Sequence, residues 1–411
     1  MTSNSKPPRS NNRKEYQQGF IIALVIFILG TTLEWITGGK GALLPKWPVN
    51  LQFGIGFLAF LFFLHFYQRE SLIIKWLSRV PAAMSSILLF TFLVLILGLS
   101  KQNEADASNI SRLTGLSHIR NSYTFLLSGL YLLTVLGLVA LRRLTPFTFK
   151  NIGFALNHVG LWIIIFAGSL GSGDLERLTI YVEEGQSVWY AYDKNRQPRE
   201  IPFTVKLLDF DIKEFPPKLA LIEQPEMKVP KDVRNNFSLI EAGARYDLGN
   251  WNITVKEYLP AARMEAGTFI ASEDSFSIPA ANIEAKNKES TKTVSGWLSC
   301  GNFANEPVFM FLDNQYALAM TAPEAKEFSS MIETIEKNGK TETIKLKVND
   351  PVKIGAWNLY QLSYDEEKGK WSTLSVIEAI RDPWIKVVYT GIFMVLAGAV
   401  YLFWIGRNPK N

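Results

Sequence analysis

Three histidines and a single cysteine are the side chains of this chain best suited to hold a metal or carry out redox or nucleophilic chemistry. His158 has the most informative setting. It lies inside the apolar stretch Phe154-Ala-Leu-Asn-His-Val-Gly-Leu-Trp-Ile-Ile-Ile-Phe-Ala-Gly-Ser-Leu-Gly171, directly after Asn157. At a helical rise of about 1.5 Å per residue it sits about 12 Å beyond Lys150, the last charge before the stretch. Polar groups at that depth in a bilayer are costly, so they either find a partner or serve a function. His65 falls in the last turn of an earlier apolar run, one helical turn from Arg69, and reads as an interfacial side chain. His118 belongs to a polar loop with Arg112 and Arg120 and reads as solvated, although arginines beside a histidine could also meet a propionate-bearing ligand.

A neutral imidazole on a rigid helix is a good ligand for haem iron, which makes His158 the leading candidate. The alternative is a histidine that stabilises packing by hydrogen bonding to a neighbouring helix, with Asn157 taking part. Gly153, Gly160, Ala167, Gly168 and Gly171 give the same helix a close approach to another helix or to a flat cofactor. Other chemistries find no support. Cys300 stands alone, which excludes an internal disulfide, a CxxC redox pair and a cysteine-rich zinc site. There is no GxSxG elbow, phosphate-binding glycine loop or HExxH pair. The region after Gly171 contains no histidine, so it cannot house a Ser-His-Asp site. Glu183-Glu184 and Glu366-Glu367 read as solvated turns, and Glu34 as a carboxylate reaching the membrane interface.

The elements that position these residues follow from composition. The chain is 48% hydrophobic with 27 Phe and 11 Trp, concentrated in runs near twenty residues long, as in an integral membrane protein. Spans are expected at residues 18–37, 51–67, 82–99, 122–141, 151–171 and 385–405. Residues 1–17 and 407–411 read as polar tails, the first of them disordered. Lys6, Arg9, Arg13, Lys14, Arg69, Lys75, Arg79, Arg142, Arg143, Lys150, Arg407 and Lys410 fall on one side. Only Lys40, Lys46, Lys101, Arg112 and Arg120 fall in the short loops of the other. That asymmetry places both termini in the cytoplasm, and it accounts for a net charge of +5 without any nucleic-acid partner. Residues 172–384 then form one large extracytoplasmic domain, periplasmic in a cell with two membranes. Period-two alternation predicts strands at 178–182, 203–208, 251–258, 343–348 and 357–362, one helix over 322–336 and a polar loop over 286–292. The expected fold is therefore six transmembrane helices plus a mainly β domain, sandwich or barrel-like.

Two stretches together resemble one family. The first is Asn157-His-Val-Gly-Leu-Trp162 with Gly168 and Gly171, just before the polar domain. The second is Trp357-Asn-Leu-Tyr-Gln-Leu-Ser-Tyr-Asp365, followed by Asp382-Pro-Trp384 and the last span. In this order they resemble the ResB (CcsB) family of cytochrome c biogenesis proteins, membrane partners of CcsA in the system II pathway. The resemblance covers roughly residues 150–406. It implies an inner-membrane subunit that handles haem b with a CcsA-type partner and presents it to apocytochrome c for attachment at a CxxCH motif. It also implies that His158 is an axial ligand to the haem iron, with a partner histidine opposite. Thiol-reducing proteins would be involved indirectly, because this chain offers no thiol pair.

Two departures accompany the resemblance. Five expected spans precede the domain where three are usual, and no tryptophan-rich CcsA portion follows the last span. No family motif falls on His65 or His118. The competing reading is a membrane assembly protein whose outer domain docks a polypeptide and which never touches haem. A small-molecule transporter is a weaker competitor, since the spans hold few polar groups of the kind an ion relay needs.

Overall fold

The structure is a computed structural model and describes residues 9–102, 107–231, 235–274 and 276–406. Two compact units emerge, residues 1–175 with 381–411, and residues 176–380. The first is helical: α1 (Arg9–Ile36), α2 (Val49–Tyr67), α3 (Leu72–Leu77), α4 (Val80–Leu99), α5 (Asn109–Leu113), α6 (Tyr123–Leu144), α7 (Ile152–Gly171) and α8 (Ile385–Gly406). All but α3 and α5 are long and apolar enough to cross a bilayer, giving six membrane helices among the described residues. Helix is the form an apolar segment must take there, because lipid offers no hydrogen-bond partners to the backbone.

Helix α6 is the central element of the bundle. It is the most buried of the six and packs against α1, α2, α4 and α7. Its start is fixed by Ser122, whose hydroxyl accepts from the Phe125 N–H at 3.2 Å. Residues 9–17, which read as part of a polar tail, are helical and extend α1. Residues 1–8 and 407–411 of the two expected tails lie outside the described residues.

The second unit is all β, with strands β1 (Glu176–Glu183), β2 (Ser187–Tyr192), β3 (Pro198–Glu214), β4 (Lys218–Glu223), β5 (Phe237–Leu239), β6 (Arg245–Leu248), β7 (Trp251–Glu265), β8 (Thr268–Ala271), β9 (Ile278–Asn287), β10 (Thr293–Ser299), β11 (Met310–Phe311), β12 (Tyr316–Met320), β13 (Ala325–Glu336), β14 (Thr341–Lys347), β15 (Val352–Ile354), β16 (Trp357–Tyr364) and β17 (Leu374–Arg381). An eight-stranded sheet runs β14-β13-β3-β2-β1-β17-β16-β15. Its edges curl together, with β14 touching β16, so the sheet nearly closes into a barrel. Ile180, Val205, Leu207, Ile332, Leu346, Leu359 and Ile377 fill the interior with no exposed surface. Two smaller sheets, β10-β9-β7-β6 with β8 beside β7, and β11-β12-β4-β5, sandwich a second core of Leu219, Trp251, Ile253, Ile283, Leu298 and Leu318. Barrel and sandwich therefore occur together.

The helix expected over 322–336 is strand β13. Its Ala, Glu and Lys content favours helix, but Ser330, Ile332 and Thr334 recur at period two and all are buried. The strand is paired on both sides, with β3 and β14, and inter-strand hydrogen bonds plus burial override local propensity. The loop expected over 286–292 is shorter than that, because Lys286 and Asn287 complete β9.

Candidate functional site

Helix α7 presents two faces of different character. One packs closely on α8. A Cβ at Gly160 would come within 2.8 Å of the Gly391 carbonyl oxygen, and one at Gly391 within 2.7 Å of the Gly160 oxygen, so only glycine permits this backbone approach. Gly153 faces Tyr401 and Leu402 of α8, and Gly171 faces Trp384. Gly168 differs from these, since a Cβ there would meet nothing within 4 Å.

The other feature is His158. The expectation of a packing histidine bonded to a neighbouring helix through Asn157 does not hold in that form, because both polar side chains bond back to their own helix. Asn157 donates through Nδ2 to the Gly153 carbonyl at 2.9 Å and sits against Gly398 of α8. His158 Nδ1 lies 3.1 Å from the Phe154 carbonyl oxygen. A carbonyl can only accept, so Nδ1 carries the proton and the neutral ring keeps its lone pair on Nε2. Metal-ligating histidines use the same arrangement, with one nitrogen donating to a carbonyl and the other bonding the metal. The ring stacks on Phe154 at a centroid separation of 3.8 Å, and the Arg143 guanidinium carbon lies 4.7 Å from the centre of the same Phe154 ring. His158 is half-buried, and among the described residues nothing pairs with its Nε2.

The other two histidines are more buried than their sequence context suggested. His65, in the last turn of α2, is buried at 3% exposure, and its Nε2 has no partner among the described residues. Gly54 on α2 faces Leu170 and Phe166 of α7, and Phe57 stacks on Trp162 and Phe166. Continuing that antiparallel register brings His65 to the depth of His158, but His65 is enclosed where His158 is open. His118 is also buried, and so is Glu34 in the last turn of α1. The Glu34 carboxylate accepts from His118 Nε2 at 2.8 Å, from the Gly41 N–H at 2.8 Å and from the Tyr123 N–H at 3.0 Å. A carboxylate with 0% exposure needs such donors, because an unpaired buried charge is strongly unfavourable. The arginines expected near His118 stay exposed and do not join it.

Asp174, which the sequence did not single out, ties together the end of the bundle opposite the Arg142-Arg143 end. Its carboxylate accepts from the Trp47 N–H at 2.7 Å, from Asn50 Nδ2 at 2.6 Å and from the Trp384 indole N–H at 2.7 Å. Burial pushes the Asp174 carboxyl up, but these donors and Arg381 outweigh it and hold the group below the usual carboxylate range. This explains the Asp382-Pro-Trp384 motif: the indole anchors the start of α8 to the end of α7. The Tyr360-Gln361 motif also has a structural reason. Gln361 joins Ser330 at 2.6 Å and Ser375 at 3.2 Å, a buried network linking β13, β16 and β17.

No group of three or more His, Cys, Asp or Glu able to hold a metal ion occurs among the described residues. Burial raises the Cys300 thiol to about 11, which leaves little thiolate at neutral pH. The ResB-like family model matches residues 281–379, from β9 to β17. Residues 281–379 are thus similar to the ResB-like family. The match includes the Gln361 network and ends before the last span, and His158 lies outside it. The ResB-like family is associated with cytochrome c biogenesis. Comparison with curated proteins gave no match.

Proposed function

We propose that this chain is the ResB-type membrane subunit of a system II cytochrome c synthetase, and that His158 is its haem ligand. One observation supports this above the others: on the span leading into the ResB-like unit, a half-exposed imidazole directs its proton to a backbone carbonyl and keeps its Nε2 lone pair free. The residues present thus fit an axial bond to haem b. When bound, the haem would supply the porphyrin that is joined to apocytochrome c at its CxxCH motif. This chain's own contribution is to hold and orient. Phe154 fixes the imidazole plane by stacking, the Phe154 carbonyl fixes the tautomer, and the α7–α8 glycine contact keeps the helix rigid.

A CcsA-type partner would share with this chain in holding the haem. The basic residues near one set of helix ends orient those ends toward the cytoplasm and the β unit toward the periplasm of an inner membrane. The β unit, which lacks histidine and a reactive thiol, would serve apocytochrome or partner docking, with reduced cysteines supplied indirectly by thiol-reducing proteins. The test is to co-express the chain with a CcsA-type protein, purify the complex and record its absorbance. Wild-type complex should carry haem, and His158→Ala should lose the axial signal and regain it with added imidazole. A haem-free wild-type complex would favour the assembly-protein reading.

A further inference from the structure

The helical unit contains a groove of about 1220 Å³ bounded by α2, α4, α6, α7 and the start of α8. Its walls are apolar and aromatic, among them Phe57, Phe90, Phe125 and Phe166, with the backbones of Gly56 and Gly168. A Cβ on either of these two glycines would meet nothing within 4 Å, so both face open space. Along its rim, Phe53, Phe60 and Leu130 are 64%, 51% and 48% exposed, so the groove opens sideways, where the bilayer lies. Its mouth is polar, with Gln52, Arg120, Asn121, Ser172 and Asp382.

Depth, charge and the absence of metal-binding side chains narrow the choice of occupant. The lining runs from Gln52 to Phe60 on α2 and back from Ser172 to Ile164, about 12 Å at 1.5 Å per residue. That is close to one leaflet of hydrocarbon, about 15 Å. One turn deeper the helices close up, where Gly137 lies against Leu61 and Trp162. A partner's transmembrane helix would need a groove running the full width of the membrane, and this one stops near the middle. Haem would find no axial ligand, since no His, Met, Cys or Tyr lines the groove. At the mouth Arg120 has no hydrogen-bond or ion-pair partner among the described residues, and Asp382 uses Oδ1 to accept the Trp384 N–H at 3.0 Å. A cation and an anion at headgroup level match a headgroup bearing both charges.

We propose that this groove is a site for one phospholipid with an ethanolamine head, its acyl chains along the apolar walls supplied by α2, α4, α6 and α7, its phosphate on Arg120 and its ammonium on Asp382. The proposal is independent of His158 and of haem. The test is native mass spectrometry of the full-length protein, purified in detergent and offered phosphatidylethanolamine, phosphatidylcholine or phosphatidylglycerol. One retained phosphatidylethanolamine is expected, in preference to the other two. Gly168→Leu fills open space without a backbone clash, so it should melt like wild type yet lose the bound lipid, and Gly56→Leu should do the same. Arg120→Gln should weaken retention about fivefold, the effect of roughly 1 kcal/mol per basic residue at a membrane surface. Unchanged retention in both leucine variants would overturn the site. Equal retention of the three headgroups would overturn the roles of Arg120 and Asp382, and a tetrapyrrole displaced by Gly168→Leu would overturn the lipid assignment.

Discussion

Removing the Asp174 carboxylate should loosen the end of the bundle at which α7 leaves the membrane. Three donors converge on it: the Trp47 N–H, the Asn50 amide and the Trp384 indole. A hydrogen bond to a charged group contributes about 1.5–3 kcal/mol. Asp174 is partly exposed, so water can replace some of what is lost and the low end of that range applies. Asp174→Ala is expected to cost about 4.5 kcal/mol and Trp384→Phe about 1.5 kcal/mol. Because both remove the same bond, the double variant should cost about 1–1.5 kcal/mol less than the sum. The assay is denaturant unfolding in mixed micelles followed by far-UV circular dichroism. The pH dependence has a definite sign. The folded-state pKa is lowered, so the contribution is complete above the ordinary carboxylate value and is lost as pH falls through the lower folded value. Asp174→Asn, which does not titrate, should flatten that acid limb. Strict additivity of the two substitutions, together with an unchanged acid limb, would refute the argument.

Other expectations follow from the same geometry. His118→Ala leaves Glu34 buried with only its two backbone donors, and should cost about 3–5 kcal/mol in the same unfolding assay, with Glu34→Gln in the His118→Ala background recovering part of it. Gly160→Leu should separate α7 from α8 and lower the melting temperature, because its Cβ would press on the Gly391 carbonyl, while Gly168→Leu should not. Gln361→Leu strands Ser330 and Ser375 inside the barrel, and a loss of about 1–3 kcal/mol is expected on denaturation. Cys300 should react slowly with iodoacetamide at pH 8 in the folded protein, faster as pH approaches 11, and at once when denatured, as followed by mass shift.

The membrane spans were legible because an apolar run of about twenty residues has one structural solution in lipid, and each expected span coincides with a helix to within a few residues, apart from the N-terminal extension of α1. Strands with clear alternation, such as 178–182 and 357–362, were legible for a similar reason. What escaped was pairing between distant residues. Glu34 resembles an interfacial carboxylate and His118 a solvated loop histidine, and only the fold, across 84 positions, joins them. Asp174 looks like an ordinary acidic loop residue until Asn50 and Trp384 arrive from elsewhere in the chain. Strand β13 misleads through composition, since its partners β3 and β14 are what make it a strand. His158 was legible as a candidate by depth, yet its decisive property, the Nδ1 bond to the Phe154 carbonyl, needed coordinates.

Haem binding by this chain would depend most directly on His158 Nε2. The decisive measurement is the low-temperature absorption spectrum of the wild-type complex with a CcsA-type partner, beside that of His158→Ala with and without imidazole. A low-spin haem signal that disappears in the variant and returns with imidazole is the predicted result. A haem spectrum identical in wild type and His158→Ala would contradict the ligand assignment and leave His158 as a packing residue of α7.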